Sequence, residues 1–290
     1  MTSSSPKTVV EVLNAASDYL AGKGVDEPRL AAEYLAGRLL NCKRLELYAK
    51  HNQILSEKQL DAMRRGTKRV AGGEPVQYVI GQWDFMGHTF KVDRRALIPR
   101  PETELLVEQV LACEALWRGS KPAVAEIGAG SGCIVISLAL ARPGALYLAL
   151  DVSDEALELA SENAAGLGVA GGIAFAHDDL CDLIEPSSLD AIVANLPYVA
   201  TADYEKLPAH IKDHEPRVAL DGGPSGLSVI EGAVQDASMA LKPGGRLFLE
   251  IGDTQAGAVS RLLKEAGFDA IAVVKDLRGH DRVIAAALAV

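Results

Sequence analysis

The chain has 290 residues and a mass of 30.6 kDa, enough for two domains that each bury a core. Hydrophobic residues make up 49% and charged residues 23%, which excludes a disordered chain. Its formal charge of -10, from 39 acidic and 29 basic residues, excludes general attraction to phosphate backbones or anionic membranes unless a basic patch is set apart.

The first 70 residues read as helices. Val9, Leu13, Ala16 and Leu20 share one face, and Gly22 and Gly24 supply a stop. Asp26 is placed to cap a second helix with Pro28 in its first turn. Ser56 and Gln59 have capping-box spacing ahead of a third, which ends near residues 71–73. Trp83, Phe85, Phe90 and Val92 then flank Met86-Gly87-His88, a turn between two short strands. A helix follows Pro101 and runs to about Trp117.

Beyond Pro122 strands and helices alternate. Strands are expected at residues 123–127, 145–150, 173–176, 191–194, 246–251, 270–274 and 282–288. Helices are expected at 134–141 and 153–167, before Lys242 and after Asp253. Such alternation predicts a doubly wound α/β fold, a mainly parallel seven-stranded sheet with helices on both faces. No helix separates the last two strands, so that edge is expected to be antiparallel. The expected organisation is a helical domain over residues 1–73, a hairpin linker over 74–96 and an α/β domain over 97–290.

Four cysteines, Cys42, Cys113, Cys133 and Cys181, form no C-x-x-C pair, which argues against a zinc ribbon and fits reduced thiols in the cytoplasm. The Ser-rich start lacks the apolar core of a signal peptide, and no run of ~18 apolar residues occurs.

Two constellations carry chemistry. Glu126-Ile127-Gly128-Ala129-Gly130-Ser131-Gly132 joins a strand to a helix, with glycines that let a ligand approach the backbone. Its spacing is G-x-G-x-G, not the G-x-G-x-x-G of dinucleotide sites. A purely structural turn would use the same glycines, but Asp151 ends the next strand, where such folds carry a ribose-binding acid. Together they point to a nucleoside-bearing cofactor. Asp179 after the third strand could accept from an adenine amino group, with Leu180 packing beside it; a solvated turn explains that pair equally well. The second constellation is Asn195-Leu196-Pro197-Tyr198 at the end of the fourth strand. Asn195 offers an amide donor and acceptor, Pro197 holds Leu196 out of helical geometry, and Tyr198 presents a flat face. This suits a planar nitrogen nucleophile.

These motifs resemble those of class I S-adenosylmethionine-dependent methyltransferases. With Leu97-Ile98-Pro99-Arg100-Pro101-Glu102-Thr103-Glu104, they resemble the PrmC/HemK family, protein-(glutamine-N5) methyltransferases acting on class I peptide chain release factors. Gln77-Tyr78 with Gly81, the run from Glu215-Pro216 to Gly226-Leu227, and Gly279-His280-Asp281-Arg282 are also similar. Leu196 stands where the family usually has proline.

The resemblance implies methyl transfer from S-adenosyl-L-methionine, giving S-adenosyl-L-homocysteine, in the cytoplasm. It implies cofactor contacts at Glu126, Gly128, Ala129, Gly130, Ser131, Gly132, Asp151, Asp179, Leu180, Asn195 and Arg100. It implies a catalytic, substrate-binding role for Asn195, Leu196, Pro197 and Tyr198, with no metal, no stable nucleic acid and no membrane. Because that loop alone cannot select one glutamine among many, the helical domain over residues 1–73 is expected to bind the partner. A DNA adenine-N6 methyltransferase shares the Asn-x-Pro-Tyr logic, but needs a basic groove, and the chain has only short clusters such as Arg64-Arg65 with Lys68-Arg69. A non-catalytic protein-binding module is the other alternative. His210 and His214, four apart, have metal-ligand spacing, though a solvated loop bounded by Pro208 and Pro216 suits them better.

Overall fold

The computed structural model describes residues 7–178 and 184–290. The chain divides into two compact units, one of residues 1–82 with 208–214, the other of residues 83–207 with 215–290.

The first unit is helical. Helix α1 (Val9–Ala21) opens with a capping box in which Thr8 and Glu11 satisfy each other's backbone N–H groups. Helix α2 (Pro28–Leu40) starts one residue later than expected. Pro28 takes the first helical position, so Glu27 rather than Asp26 occupies the cap, in left-handed geometry and with no side-chain cap bond. Helix α3 (Glu57–Ala71) has the expected Ser56/Gln59 box, with Gly72 at its end. A short helix α4 (Val76–Ile80) follows, which periodicity did not reveal. Val9, Leu13, Leu20, Ala32, Leu47 and Leu60 form the core. Of the basic cluster on α3, Arg64 pairs with Asp61 and Arg69 makes a two-point bond to Glu74.

Strands β1 (Gln82–Phe85) and β2 (His88–Lys91) form the expected hairpin. Met86 and Gly87 both have positive φ, the geometry that matches the twist of a two-residue hairpin. Phe85 and Phe90 meet edge to face at 6.1 Å and are fully buried, so they pack the core rather than wall a site. Helix α5 (Pro101–Ala112) stops short of Trp117. The chain turns at Cys113, and the Trp117 indole donates to the Val110 carbonyl.

The sheet then builds in the alternating order expected. It comprises β3 (Ala123–Ile127), α6 (Cys133–Ala141), β4 (Leu146–Asp151), α7 (Asp154–Gly166), β5 (Ile173–His177) and β6 (Leu189–Ala194). After the short helices α8 (Thr201–Tyr204) and α9 (Ala209–Lys212) come α10 (Ser228–Ala240), β7 (Leu241–Glu250), α11 (Ala256–Glu265), β8 (Phe268–Lys275) and β9 (Asp281–Leu288). Strand order is β5-β4-β3-β6-β7-β9-β8, parallel from β5 to β7, with β9 antiparallel to both its neighbours. Strand β7 starts earlier than expected. Pro243-Gly244-Gly245 reads as a turn but is absorbed as an irregularity in the pairing with β6. Two apolar clusters cover the two faces, one centred on Leu106, Val135 and Leu138, the other on Ile192, Ile230 and Leu249. The carboxyl ends of β3, β4 and β6 thus lie side by side, where open α/β sheets bind ligands. No helix among the described residues is long and apolar enough to cross a membrane.

Candidate active site

A cavity of about 450 Å³ opens at those strand ends, within the second unit. It is walled by Glu126, the loop over residues 128–131, Asp151, Arg100 and residues 195–197. Gly132 and Tyr198 lie just outside that lining. Asp179 and Leu180 fall outside the described residues; Asp178 lines the cavity.

The glycine loop is bent by backbone conformations that L side chains rarely adopt. Gly128, Gly130 and Gly132 have φ of 71°, 55° and 76°. At Gly132 a Cβ would stand 2.8 Å from Ile136 Cδ1 and 3.0 Å from Ala160 Cβ, so glycine is also what lets α7 pack on the loop. Asp151 fastens the bend from the next strand. Its two carboxylate oxygens accept from the N–H groups of Gly130 (2.8 Å) and Ser153 (2.9 Å). Each oxygen keeps a second lone pair for a ligand hydroxyl. Asn163 on α7 was not singled out by sequence. Its Nδ2 donates to the carbonyls of Ser131 (2.9 Å) and Lys91 (3.0 Å), while its Oδ1 accepts from Lys91 N–H (2.7 Å).

Glu126 is buried on β3, and its Oε2 accepts from the Val135 N–H at 2.8 Å. Burial pushes its carboxyl well above the ordinary value of 4.5, opposed by the Val135 bond and reinforced by Asp151. A raised folded-state pKa means stability is full below 4.5 and is lost as pH rises through the folded value. Glu126→Gln keeps an acceptor for Val135 and removes the ionisation. The ligand-free variant is therefore expected to melt several degrees higher than the native chain at pH 8, with the gap closing near pH 4.5. Thermal unfolding against pH measures this, and a gap independent of pH would contradict the assignment.

Arg100 precedes α5 and pairs with the buried Glu215 at 2.5 Å, and Glu215 also accepts from Ile98 N–H at 3.1 Å. The Pro-bracketed segment 98–100 is thereby tied down at the cavity wall. Glu215 is a second residue that sequence reasoning left without a role.

The Asn195-Leu196-Pro197-Tyr198 loop leaves the end of β6. Leu196 is buried in the apolar cluster, with its Cδ2 3.5 Å from where a Gly128 Cβ would stand. Leucine fills this position by packing. Asn195 Nδ2 donates to Thr103 Oγ1 at 3.1 Å, and Thr103 Oγ1 donates to Glu250 Oε2 at 2.7 Å. The Tyr198 hydroxyl donates to the other Glu250 oxygen over a long 3.4 Å. Burial, then the Glu250 charge, pushes the Tyr198 phenol up to about 12, so it stays protonated at neutral pH. Gln255 Nε2 holds the loop from behind, donating to the carbonyls of Tyr198 (3.0 Å) and Gly226 (3.1 Å). Glu250 and Gln255 are further residues that local spacing could not reveal, and the 97–104 motif that contains Thr103 gives no hint of its bond to Asn195.

His210 lies in the one-turn helix α9 and His214 just after it. Among the described residues no group of three or more His, Cys, Asp or Glu side chains could hold a metal ion.

A mainly parallel sheet of this order, with a glycine loop after its first strand and an Asn-x-Pro-Tyr loop after its fourth, is a methyltransferase framework. Solved structures that share the fold include the hMettl16 catalytic domain (TM-score 0.55, 15% identity, 81% of this chain and 84% of that one) and a methyltransferase from Pyrococcus furiosus (TM-score 0.52, 15% identity, 78% and 99%). A PrmC N-terminal domain model matches residues 11–81, and a methyltransferase small domain model matches residues 101–212.

Similar over nearly their full length are the release factor glutamine methyltransferases of Moorella thermoacetica (40% identity, 95% of this chain and 96% of the relative) and Chlorobaculum tepidum (38%, 95% and 95%). That of Rhodopirellula baltica is 35% identical over 96% of each chain. The chain belongs to the release factor glutamine methyltransferase family.

Proposed function

We propose that the chain methylates the side-chain amide nitrogen (N5) of a glutamine in class I peptide chain release factors, using S-adenosyl-L-methionine. The observation that carries this reading is the position of Asn195, in one cavity with the glycine loop and Asp151. The names of the relatives supply the substrate class.

The cavity suits the cofactor in its chemistry. Its ionisable lining is acidic at Glu126, Asp151, Asp178 and Asp236. Its two arginines are already engaged, Arg95 with Asp93 and Glu162, Arg100 with Glu215. A ligand bearing positive charge and ribose hydroxyls fits these acceptors better than a pyrophosphate does. Gly128, Ala129, Gly130 and Ser131 would cradle it, Asp151 would accept from the ribose, and Arg100 would close the wall. When bound, the cofactor supplies a methyl group already activated on a sulfonium.

The chain's own residues orient the acceptor. A glutamine amide nitrogen is a poor nucleophile because its lone pair is shared with the carbonyl. The Asn195 Oδ1 and the Leu196 carbonyl accept from the two amide hydrogens, and Tyr198 packs against the amide plane. As positive charge grows on the nitrogen, both hydrogen bonds strengthen, which lowers the barrier more than it stabilises the bound substrate. The protonated Tyr198 is no base, and the surplus proton leaves to water.

The test is to incubate the protein with methyl-labelled S-adenosylmethionine and either a release factor or duplex DNA. Label is expected in the factor and lost when its target glutamine is replaced. Label in DNA instead would establish an adenine-N6 activity, and label in neither would reduce the chain to a binding module.

A further inference from the structure

We infer that Thr103 and Glu250 are positioning residues that decide which end of the Asn195 amide faces the acceptor. This rests on the methyl-transfer reading above. A side-chain amide can turn by 180° and exchange its donor and acceptor with almost no change of shape. Only one of the two orientations serves the acceptor. With Oδ1 forward, Asn195 accepts from the acceptor's N–H; with Nδ2 forward, it presents a donor to a donor.

The choice is made at the far end of a three-member chain, all within the second unit. Glu250 closes β7 and is 2% exposed. As a carboxylate it can only accept. Thr103, equally buried on α5, has one hydroxyl proton and directs it to Glu250 Oε2 at 2.7 Å. Its oxygen then has only lone pairs left to offer. Asn195 must meet it with Nδ2, which it does at 3.1 Å, and Oδ1 is thereby turned away from Thr103. The Tyr198 hydroxyl, donating to the second Glu250 oxygen, is consistent with the same acceptor-only carboxylate. Burial raises the Glu250 pKa, opposed by the Thr103 bond and the Arg282 charge, reinforced by Glu102 and opposed again by the Tyr198 bond. The acceptor-only carboxylate rests on the geometry, a hydroxyl donor on each of its two oxygens. One buried charge therefore sets the direction of every hydrogen bond in the series, with no contact to the reacting atoms.

The relay makes a specific pattern of kinetics. Thr103→Val keeps the shape and removes the hydroxyl. It is expected to lower kcat on a release factor by roughly 10–100-fold, as loss of orientation does, with KM nearly unchanged. Thr103→Ser restores the hydroxyl and is expected to recover most of the rate. Glu250→Gln brings an N–H group that can donate to Thr103, freeing the Thr103 proton to face Asn195 and favouring the wrong amide orientation. Its loss should match that of Thr103→Val, and the double variant should be no slower than the worse single one, since both act through one chain.

An unchanged kcat in Thr103→Val, or losses that multiply in the double variant, would overturn the inference. So would a Thr103→Ser variant as slow as Thr103→Val. Asn195→Ala inactive beside a fully active Thr103→Val would sink the relay while leaving the methyl-transfer reading intact. A second readout needs no acceptor protein. The side-chain 1H–15N signals of Asn195, identified by their absence in Asn195→Ala, are expected to shift in both Thr103→Val and Glu250→Gln. Signals that stay in place in Glu250→Gln overturn the relay even if the release factor proves to be the wrong substrate.

Discussion

Asn195→Ala is expected to reduce methyl transfer to a release factor by roughly 10³-fold, the scale of losing a preorganised group aimed at developing charge. Binding of S-adenosylmethionine, measured by calorimetry, is expected to change by only a few-fold. The split follows from the geometry. Asn195 reaches the cavity from the end of β6, whereas the bend of the glycine loop is held from β4 and α7, by Asp151 and Asn163. Truncating Asn195 removes the acceptor's partner and leaves those fastenings in place. Thr103 keeps its bond to Glu250, so no buried charge is orphaned. Turnover near the native rate would refute the role given to Asn195, and a collapse of cofactor binding would place that role in the wrong step.

Gly226→Ala is also expected to be damaging, although residue 226 lines no part of the cavity. Its φ is 72°, and a Cβ there would run into the Tyr198 carbonyl and lie 3.1 Å from both Ala200 N and Gln255 Nε2. Gly222 presses on the same loop, where a Cβ would be 2.5 Å from the Pro197 carbonyl. Backbone thus packs on backbone along residues 197–200, and of these neighbours only the Gln255 side chain can yield. Left-handed strain and overpacking together should cost roughly 2–4 kcal/mol of stability, and a displaced loop should cost about 10²-fold or more in kcat. Gly257→Ala is the control. It lies in α11 with nothing within 4 Å of the added carbon, and is expected to be neutral or slightly stabilising. Denaturant melts and initial rates on the three proteins decide it; a Gly226→Ala variant as stable and active as Gly257→Ala would show that the loop is not held this way.

What the sequence made legible was whatever chemistry is written in consecutive residues. The glycine loop, Asp151 and the Asn195–Tyr198 tetrapeptide are each compact in sequence and sit at strand ends that periodicity locates well. The supports of the site are not of that kind. Thr103 reaches Asn195 across 92 positions and Glu250 across 147, and Glu215 reaches Ile98 across 117. No spacing rule relates such residues, since the fold alone brings them together. Asp151 shows the same limit in a residue that was singled out. As an isolated acid after a strand it reads as a ligand partner, yet its structural work of holding Gly130 depends on the neighbouring strand. The element errors are of a different origin. The cap of α2 lies one residue beyond where the spacing puts it because Pro28 itself begins the helix. The start of β7 was hidden because Pro-Gly-Gly, normally a turn, forms an irregular stretch of strand.

Asn163 carries one further consequence, for the order in which the molecule is made. Its bonds to Lys91 join residues 72 positions apart, a closure that costs on the order of 4 kcal/mol of chain entropy by the logarithmic rule. That cost is recovered only after β3, β4 and α7 have come together. A growing chain that has reached residue 150 already contains every glycine of the loop, but not the amide that ties Ser131 and Lys91 to one another. The loop of this unit therefore takes its final shape late, and a nascent fragment can carry the whole motif before it can carry the site.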